Sequence, residues 1–285
     1  MRILLLIALF TFISKPLSAS DFHSPRTAAL GGAGHAGPLL TDAIYLNPSF
    51  VSLLPTYSLS FAYLKFKGAA HSDGSDYYGR SYNATIQDGK TELFQAGVGY
   101  TVREDGAMLH VGASKSFVER TGFGLGGKYI MSNTKRPTIT DINLSFTGIP
   151  LDWLQLALII DNLLQSETGK AHGFYREIVI GSKINVMGLV LLYFDPRWTH
   201  ALPNSEKLGF EAGLELPTFA DLFIRAGTFR NTMQPFQGKY ANGWGLGLGW
   251  IGPRISLDYG MSRVVQSKAK LPQALAHTAS VTVYF

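Results

Sequence analysis

The 285-residue chain has no cysteine. That excludes both a disulfide-stapled secreted domain and a lipoprotein acylated on a cysteine. Charge is also scarce: 16% of residues are Asp, Glu, Lys or Arg, against roughly 25% in ordinary soluble domains. Yet 46% are hydrophobic, and beyond the N-terminus no apolar run approaches the about 20 residues of a membrane-spanning helix. Metal-ligand spacings such as His-x-x-x-His are missing, and the seven histidines are scattered. His110 and His277 fall in strand-like segments, and His23, His35, His71, His172 and His200 in loops or the N-terminal region. No cofactor, metal site, nucleic-acid partner or catalytic constellation is expected. The net charge of +5 decides nothing.

What is present is an exported-protein pattern. Met1-Arg2 precedes the apolar run Ile3 to Ile13 and then small residues through Ser20, which reads as a signal peptide over 1–20 cleaved after Ala19 or Ser20; a retained anchor is the alternative. The remaining about 265 residues hold all of the chain's 31 Gly, 13 Tyr and 4 Trp and 16 of its 18 Phe. They alternate apolar with polar or glycine positions. At the C-terminus Ala279, Val281, Val283 and Phe285 share one face against Thr278, Ser280, Thr282 and Tyr284, and Leu208, Phe210, Ala212, Leu214 and Leu216 oppose Lys207, Gly209, Glu211, Gly213 and Glu215. Period two means strands. The apolar faces are too many to fill one sandwich core, so the fold class expected is all-β: a transmembrane antiparallel β-barrel of about fourteen strands over 57–285.

The strands are placed near 57–66, 79–88, 92–103, 107–116, 120–132, 137–147, 152–163, 174–183, 186–196, 205–216, 219–230, 241–251, 254–264 and 274–285. Twelve strands is the alternative, because 79–88 is weakly apolar. Short links, such as those at Ile184-Asn185 and Gly252-Pro253, trade places with longer ones, which puts both ends of the barrel at the periplasmic side. Aromatics near strand ends, including Tyr57, Tyr63, Tyr100, Tyr129, Trp153, Phe174, Trp244, Trp250 and Tyr259, suit interfacial girdles, with Trp198 assigned to a loop. Alternation points Asp161, Glu177, Lys183, Lys207, Glu211, Glu215, Arg225, Arg254 and Asp258 into the lumen, as ion pairs and bonds to buried backbone or as the lining of a wet channel.

Residues 21–56 carry no such alternation and read as a compact N-terminal insert. Gly31-Gly32-Ala33-Gly34 lacks the preceding strand and following Lys-Ser of a phosphate loop, so close backbone packing is the better reading. Asp42 to Tyr45 is expected to make a helical turn ending at Asn47-Pro48. The runs Pro25-Arg26-Thr27-Ala28-Ala29-Leu30-Gly31-Gly32-Ala33-Gly34 and Asp42-Ala43-Ile44-Tyr45-Leu46-Asn47-Pro48 resemble the N-terminal signature of the FadL/OmpP1 superfamily of outer-membrane proteins, which includes hydrophobic-compound transporters and PorV-like secretion accessory proteins. That resemblance implies a bacterial outer-membrane location and a lumen plugged by the N-terminal segment. Gly31, Gly32, Gly34, Asp42, Asn47 and Pro48 would belong to the hatch.

The resemblance implies passive transport of small hydrophobic compounds such as fatty acids. Phe22, Leu39, Ile44, Tyr45, Leu46 and Phe50 are the candidate ligand-lining residues; the alternative is that they only pack the plug against the wall. The chain is shorter than a typical fatty-acid transporter, with little room for long outer loops. A non-transporting barrel serving as accessory or anchor for a secretion or envelope assembly is therefore the second reading; a general diffusion pore is the third, and the insert argues against it. Expected partners are outer-membrane lipid and lipopolysaccharide, the barrel-assembly machinery reading the terminal Phe285, a hydrophobic small molecule and a secretion-system protein.

Overall fold

A computed structural model describes residues 24–67, 78–103, 106–131, 137–171, 174–204, 206–233, 240–267 and 275–285. Fourteen strands run in chain order: β1 Tyr57–Lys67, β2 Tyr78–Asp88, β3 Gln95–Arg103, β4 Gly106–Lys115, β5 Thr121–Ile130, β6 Ile139–Leu151, β7 Leu154–Asp161, β8 Glu177–Val186, β9 Val190–Thr199, β10 Leu208–Pro217, β11 Leu222–Met233, β12 Tyr240–Ile251, β13 Ile255–Ser267 and β14 Leu275–Tyr284. Each pairs antiparallel with its chain neighbours, and β1 pairs with β14, from Ser58 opposite Tyr284 to Lys67 opposite Leu275. The ring is closed. The weakly apolar β2 pairs with both β1 and β3, which removes the twelve-strand alternative.

Alternation decides which face is which. In β5, Phe123, Leu125 and Tyr129 are exposed while Gly122, Gly124, Gly126 and Lys128 are buried; in β6, Phe146 is exposed while Asp141, Asn143, Ser145 and Thr147 are buried. Exposed Phe61, Ile86, Val98, Val111, Leu158, Ile180, Phe194, Leu246 and Leu257 continue the apolar exterior around the ring. An apolar outside and a polar inside is the arrangement of a transmembrane barrel. In hydrocarbon every backbone N–H and C=O needs a partner, and closure through β1 and β14 supplies the last row.

Local chemistry moves some boundaries from their expected places. The Asp88 carboxylate accepts from the backbone N–H groups of Lys90 and Thr91, which folds the chain into a turn, so β3 begins at Gln95 and not at 92. The link expected at Ile184-Asn185 lies further on. β8 runs to Val186, and the turn is Met187–Leu189, where Met187 and Gly188 have φ of 54° and 75° and the Gly188 N–H bonds the Asn185 side chain. Trp198 lies within β9, half-exposed, and Phe174 turns inward to pack with Met108, Ile130 and Ile139.

The barrel thus has a turn end, carrying the tight turns and both ends of the strand run, and an opposite loop end. Residues 24–53 pack against its inward face. The segment begins with a capping box: Ser24 accepts from the Thr27 N–H, Thr27 accepts from the Ser24 N–H, and the helix Pro25–Ala29 follows. After a turn through Gly31, Gly32 and Gly34 come helical turns at Leu40–Asp42 and Ala43–Leu46 and a 3-10 stretch Pro48–Leu53 that feeds β1. Ala43, Ile44, Tyr45, Phe50 and Val51 form its own apolar cluster.

Wall glycines make the room. A Cβ at Gly124 would strike the Ser49 backbone, at Gly227 the Leu30 backbone, at Gly245 the Ala28 carbonyl and at Gly260 the Pro25 carbonyl. Main chain of the segment therefore lies directly on main chain of the wall, which only a residue without a side chain permits. Replacing Gly124 by Val should leave the ring intact yet weaken seating of the segment by about 1–3 kcal/mol. The expected outcome is an unchanged mobility difference between unheated and boiled samples in detergent gels, with faster hydrogen exchange across residues 47–53. Unchanged exchange there would contradict the close approach.

Candidate functional site

The segment is held by polar anchors at three places on the wall. The first is Asn47, fully buried. Its side-chain amide donates to the His35 carbonyl at 2.8 Å and to Thr147 Oγ1 at 2.7 Å. Beside it the Ser49 N–H donates to Ser145 Oγ at 2.9 Å. Pro48 supports this by fixing the backbone as the 3-10 stretch begins. The second anchor is Asp195 on β9, also fully buried: its Oδ2 accepts from the Gly34 N–H at 2.7 Å, the His35 N–H at 2.9 Å and His35 Nδ1 at 2.8 Å. Gly34 adopts φ of 129° there, which disfavours any side chain.

The third anchor is a buried charge chain. Arg26 reaches from the segment to Glu215 (Nε–Oε2 3.3 Å) and donates to the Tyr193 hydroxyl at 2.7 Å. Glu215 also binds Arg225, which in turn holds Asp258. Arg26, Glu215 and Arg225 are each at most 2% exposed, so pairing is obligatory at such depth. Tyr45 completes the seating, its hydroxyl accepting from the Asn83 amide at 2.6 Å and bonding Thr85 at 2.8 Å.

Several of the expected lumen charges lie in ion pairs. Asp161 takes Lys128 at 2.6 Å, and Glu177 and Glu211 share Arg197 at 3.4 Å each. Lys183 is half-buried beside the Tyr193 ring. Lys207 sits in the bend before β10, where its carbonyl accepts from the Thr199 N–H. Arg254 is a correction. It lies exposed in the tight turn between β12 and β13, its carbonyl bonded to the Tyr284 N–H, because the turn begins at Gly252 and β13 only at Ile255.

Of the candidate ligand residues, Ile44, Tyr45 and Phe50 are buried together, while Leu39 and Leu46 are half-buried; Phe22 lies outside the described residues. Arg26, His35, Lys128, Tyr193, Asp195 and Arg197 belong to the anchors or their neighbours and were not singled out from the sequence. A signal existed for three of them. Tyr193, Asp195 and Arg197 alternate with Leu192, Phe194 and Trp198 in β9.

Three apolar clusters of the described lumen lie towards the loop end: Met108, Ile130, Ile139 and Phe174 in one, Phe229, Ala241 and Val264 in another, Leu64 and Phe66 in a third. The buried charged groups Lys128, Asp141 and Glu177 stand near the same strand ends. Towards the turn end the inward side chains include Ser58, Ser60, Thr85, Gln87, Ser114, Ser256 and Thr282. A cavity of about 30 Å³ there is bordered by Leu39, Asp42, Ser60, Asn83, Asp258 and Thr282. Ser24 donates to the Asp42 carboxylate at 2.7 Å, and burial pushes that carboxyl from 3.8 up to about 6.

Two expectations follow. Because the seated state raises the Asp42 pKa, protonation favours seating: the contribution is complete below about pH 4 and is lost as pH rises through about 6. Hydrogen exchange of residues 24–46, corrected for its intrinsic pH dependence, should accelerate across that window, and Asp42→Asn should flatten the response. In turn, Arg225→Leu leaves Glu215 and Asp258 without their shared cation, at a cost of about 3–5 kcal/mol. It should raise single-channel leak in planar bilayers; an unchanged leak would contradict a sealing role for this charge chain.

No family sequence model matches the chain, and no curated protein matches it in sequence. Solved structures do match in three dimensions. The CymD monoaromatic hydrocarbon channel superposes with a TM-score of 0.68 at 11% identity, over 94% of this chain and 98% of that one. The Ralstonia pickettii toluene transporter TbuX gives 0.64 at 11%, over 93% and 99%. A Pseudomonas aeruginosa FadL homologue gives 0.57 at 10%, again over 93% and 99%. At such identities the likeness is one of fold, and the fold of this chain, fourteen antiparallel strands closed into one ring, is that of the FadL-type outer-membrane barrels.

Proposed function

We propose that this chain is a bacterial outer-membrane barrel through which small hydrophobic compounds cross passively, with residues 24–56 as the hatch that seals the lumen. The observation that carries the reading is a buried apolar cluster near the loop end of the lumen, taken as the exterior side: Met108, Ile130, Ile139 and Phe174. Apolar lining at the outer mouth serves a hydrophobe that must leave the polar lipopolysaccharide sheath. The structural neighbours whose titles name toluene or monoaromatic hydrocarbons support the same substrate class.

In this reading Gly31, Gly32 and Gly34 form the bend of the hatch, and Asp42, Asn47 and Pro48 its seat. Ile44, Tyr45 and Phe50 serve the hatch by packing it against the wall, and Leu39 and Leu46 are the candidates with surface left for a ligand. Phe285 is 68% exposed and tied to β1 by its N–H to the Tyr57 carbonyl, an aromatic that the assembly machinery would read in this proposal.

One feature favours the accessory reading. At the turn end Phe94, Phe117, Met187 and Phe219 stand 52%, 77%, 91% and 82% exposed, on four different turns, as the rim of a periplasmic docking face would.

The test is uptake of toluene by vesicles carrying the full-length protein. Ile139→Asp combined with Met108→Asp should reduce the rate at least about tenfold, since each charge at an apolar lining costs more than the 1.4 kcal/mol that a tenfold change requires. Phe117→Ser with Phe219→Ser should leave it unchanged. Uptake no faster than that of empty vesicles would overturn the transport reading and favour the accessory one.

A further inference from the structure

Three side chains from three separate elements converge at the loop-side edge of the segment: His35 of the luminal segment, Asp195 of β9 and Glu211 of β10. Their donor atoms all lie within 4.8 Å of one another, and all three residues are buried. His35 Nδ1 stands 2.8 Å from Asp195 Oδ2 and 3.7 Å from Glu211 Oε2. Four-coordinate zinc holds nitrogen and carboxylate oxygen at about 2.0–2.2 Å, which separates two ligand atoms by roughly 3.4 Å. The separations found straddle that figure, so small side-chain rotations suffice.

Glu211 supplies an independent indication. Its Oε1 faces Arg197 at 3.4 Å, but its Oε2 is buried and accepts no hydrogen bond. A carboxylate oxygen so placed is costly unless something positive meets it, and it is aimed at the imidazole. The surroundings keep it there. Gly32, at φ of 94°, lies against the Glu211 carboxylate where any Cβ would collide with it. Asp195 is oriented by the Gly34 and His35 N–H groups, the kind of support that fixes a ligating carboxylate.

We propose that His35, Asp195 and Glu211 form a three-ligand site for a divalent transition ion of the zinc type. On binding, the ion replaces the proton between His35 Nδ1 and Asp195 Oδ2, and that proton is released to solvent. One imidazole and two carboxylates suit a borderline cation better than calcium, which prefers six to eight oxygens. A fourth position stays open to water. The ion bridges the luminal segment to two wall strands, so it clasps the segment in place. The site stands independently of which compound, if any, crosses the barrel.

The experiment uses the full-length protein in detergent, stripped by a chelator and titrated with Zn²⁺, followed by metal analysis after gel filtration. One Zn²⁺ per chain is expected, with slower hydrogen exchange of residues 31–37 when it is bound. His35→Gln and Glu211→Gln should each weaken binding by more than about tenfold while the barrel still shifts on boiling and residues 47–49 keep their protection. Should His35→Gln fail to assemble, Glu211→Gln alone decides. Substoichiometric Zn²⁺, or binding equal in the parent and Glu211→Gln proteins, would mean an adventitious ion only and overturn the site.

Discussion

Everything in this molecule depends on the closed ladder of backbone hydrogen bonds. A lipid-facing strand edge has no water to satisfy it, so β1 must meet β14, and the register from Ser58 to Lys67 lets it do so. Closure has a second consequence. It encloses a lumen whose polar inward side chains are removed from bulk water, and these need partners as strictly as the backbone does. Residues 24–56 answer that need, presenting N–H groups and an amide to Asp195, Ser145 and Thr147.

The same segment is seated by two kinds of force, and they do different work. Glycine faces on β5, β11, β12 and β13 let main chain rest on main chain, which gives contact and shape. Charged groups give selectivity of position: Arg26 finds Glu215, and the Gly34-His35 backbone finds Asp195. Contact without those charges would tolerate sliding. Buried charges without their partners would be expensive, so displacement of the segment by a residue or two meets a steep penalty while complete seating meets none.

Much of the fold was legible in the sequence. Period-two alternation together with turn signals placed a segment at each strand, with 79–88 the weakest, because a barrel wall has one face towards lipid and one towards the lumen all along its length. Turn boundaries were less legible: the Asp88 carboxylate capping Lys90 and Thr91, and the positive φ at Met187, depend on local geometry that composition does not display. The luminal charges were read where a strand was well placed, as with Glu211, Glu215 and Arg225. They were misread at Arg254, where a strand limit one residue off moves a side chain from lumen to turn. The roles of His35 and Arg26 escaped notice because a segment without periodicity gives no direction for its side chains; only the fold shows that Arg26, 189 residues before Glu215, touches it.

The distribution of polarity along the lumen bears on what such a barrel can pass. Near the loop end apolar clusters such as Met108, Ile130, Ile139 and Phe174 stand beside the charged groups Lys128, Asp141 and Glu177, whereas hydroxyl and amide groups line the wall at the turn end. In the transport reading proposed above, release of a hydrophobe would couple to displacement of residues 24–56. The anchors that hold the segment are then also the barrier to release. Their strength is set by few contacts, chiefly Asn47, Asp195 and the Arg26–Glu215–Arg225 chain, and in that reading the opening of those contacts would govern the rate of passage.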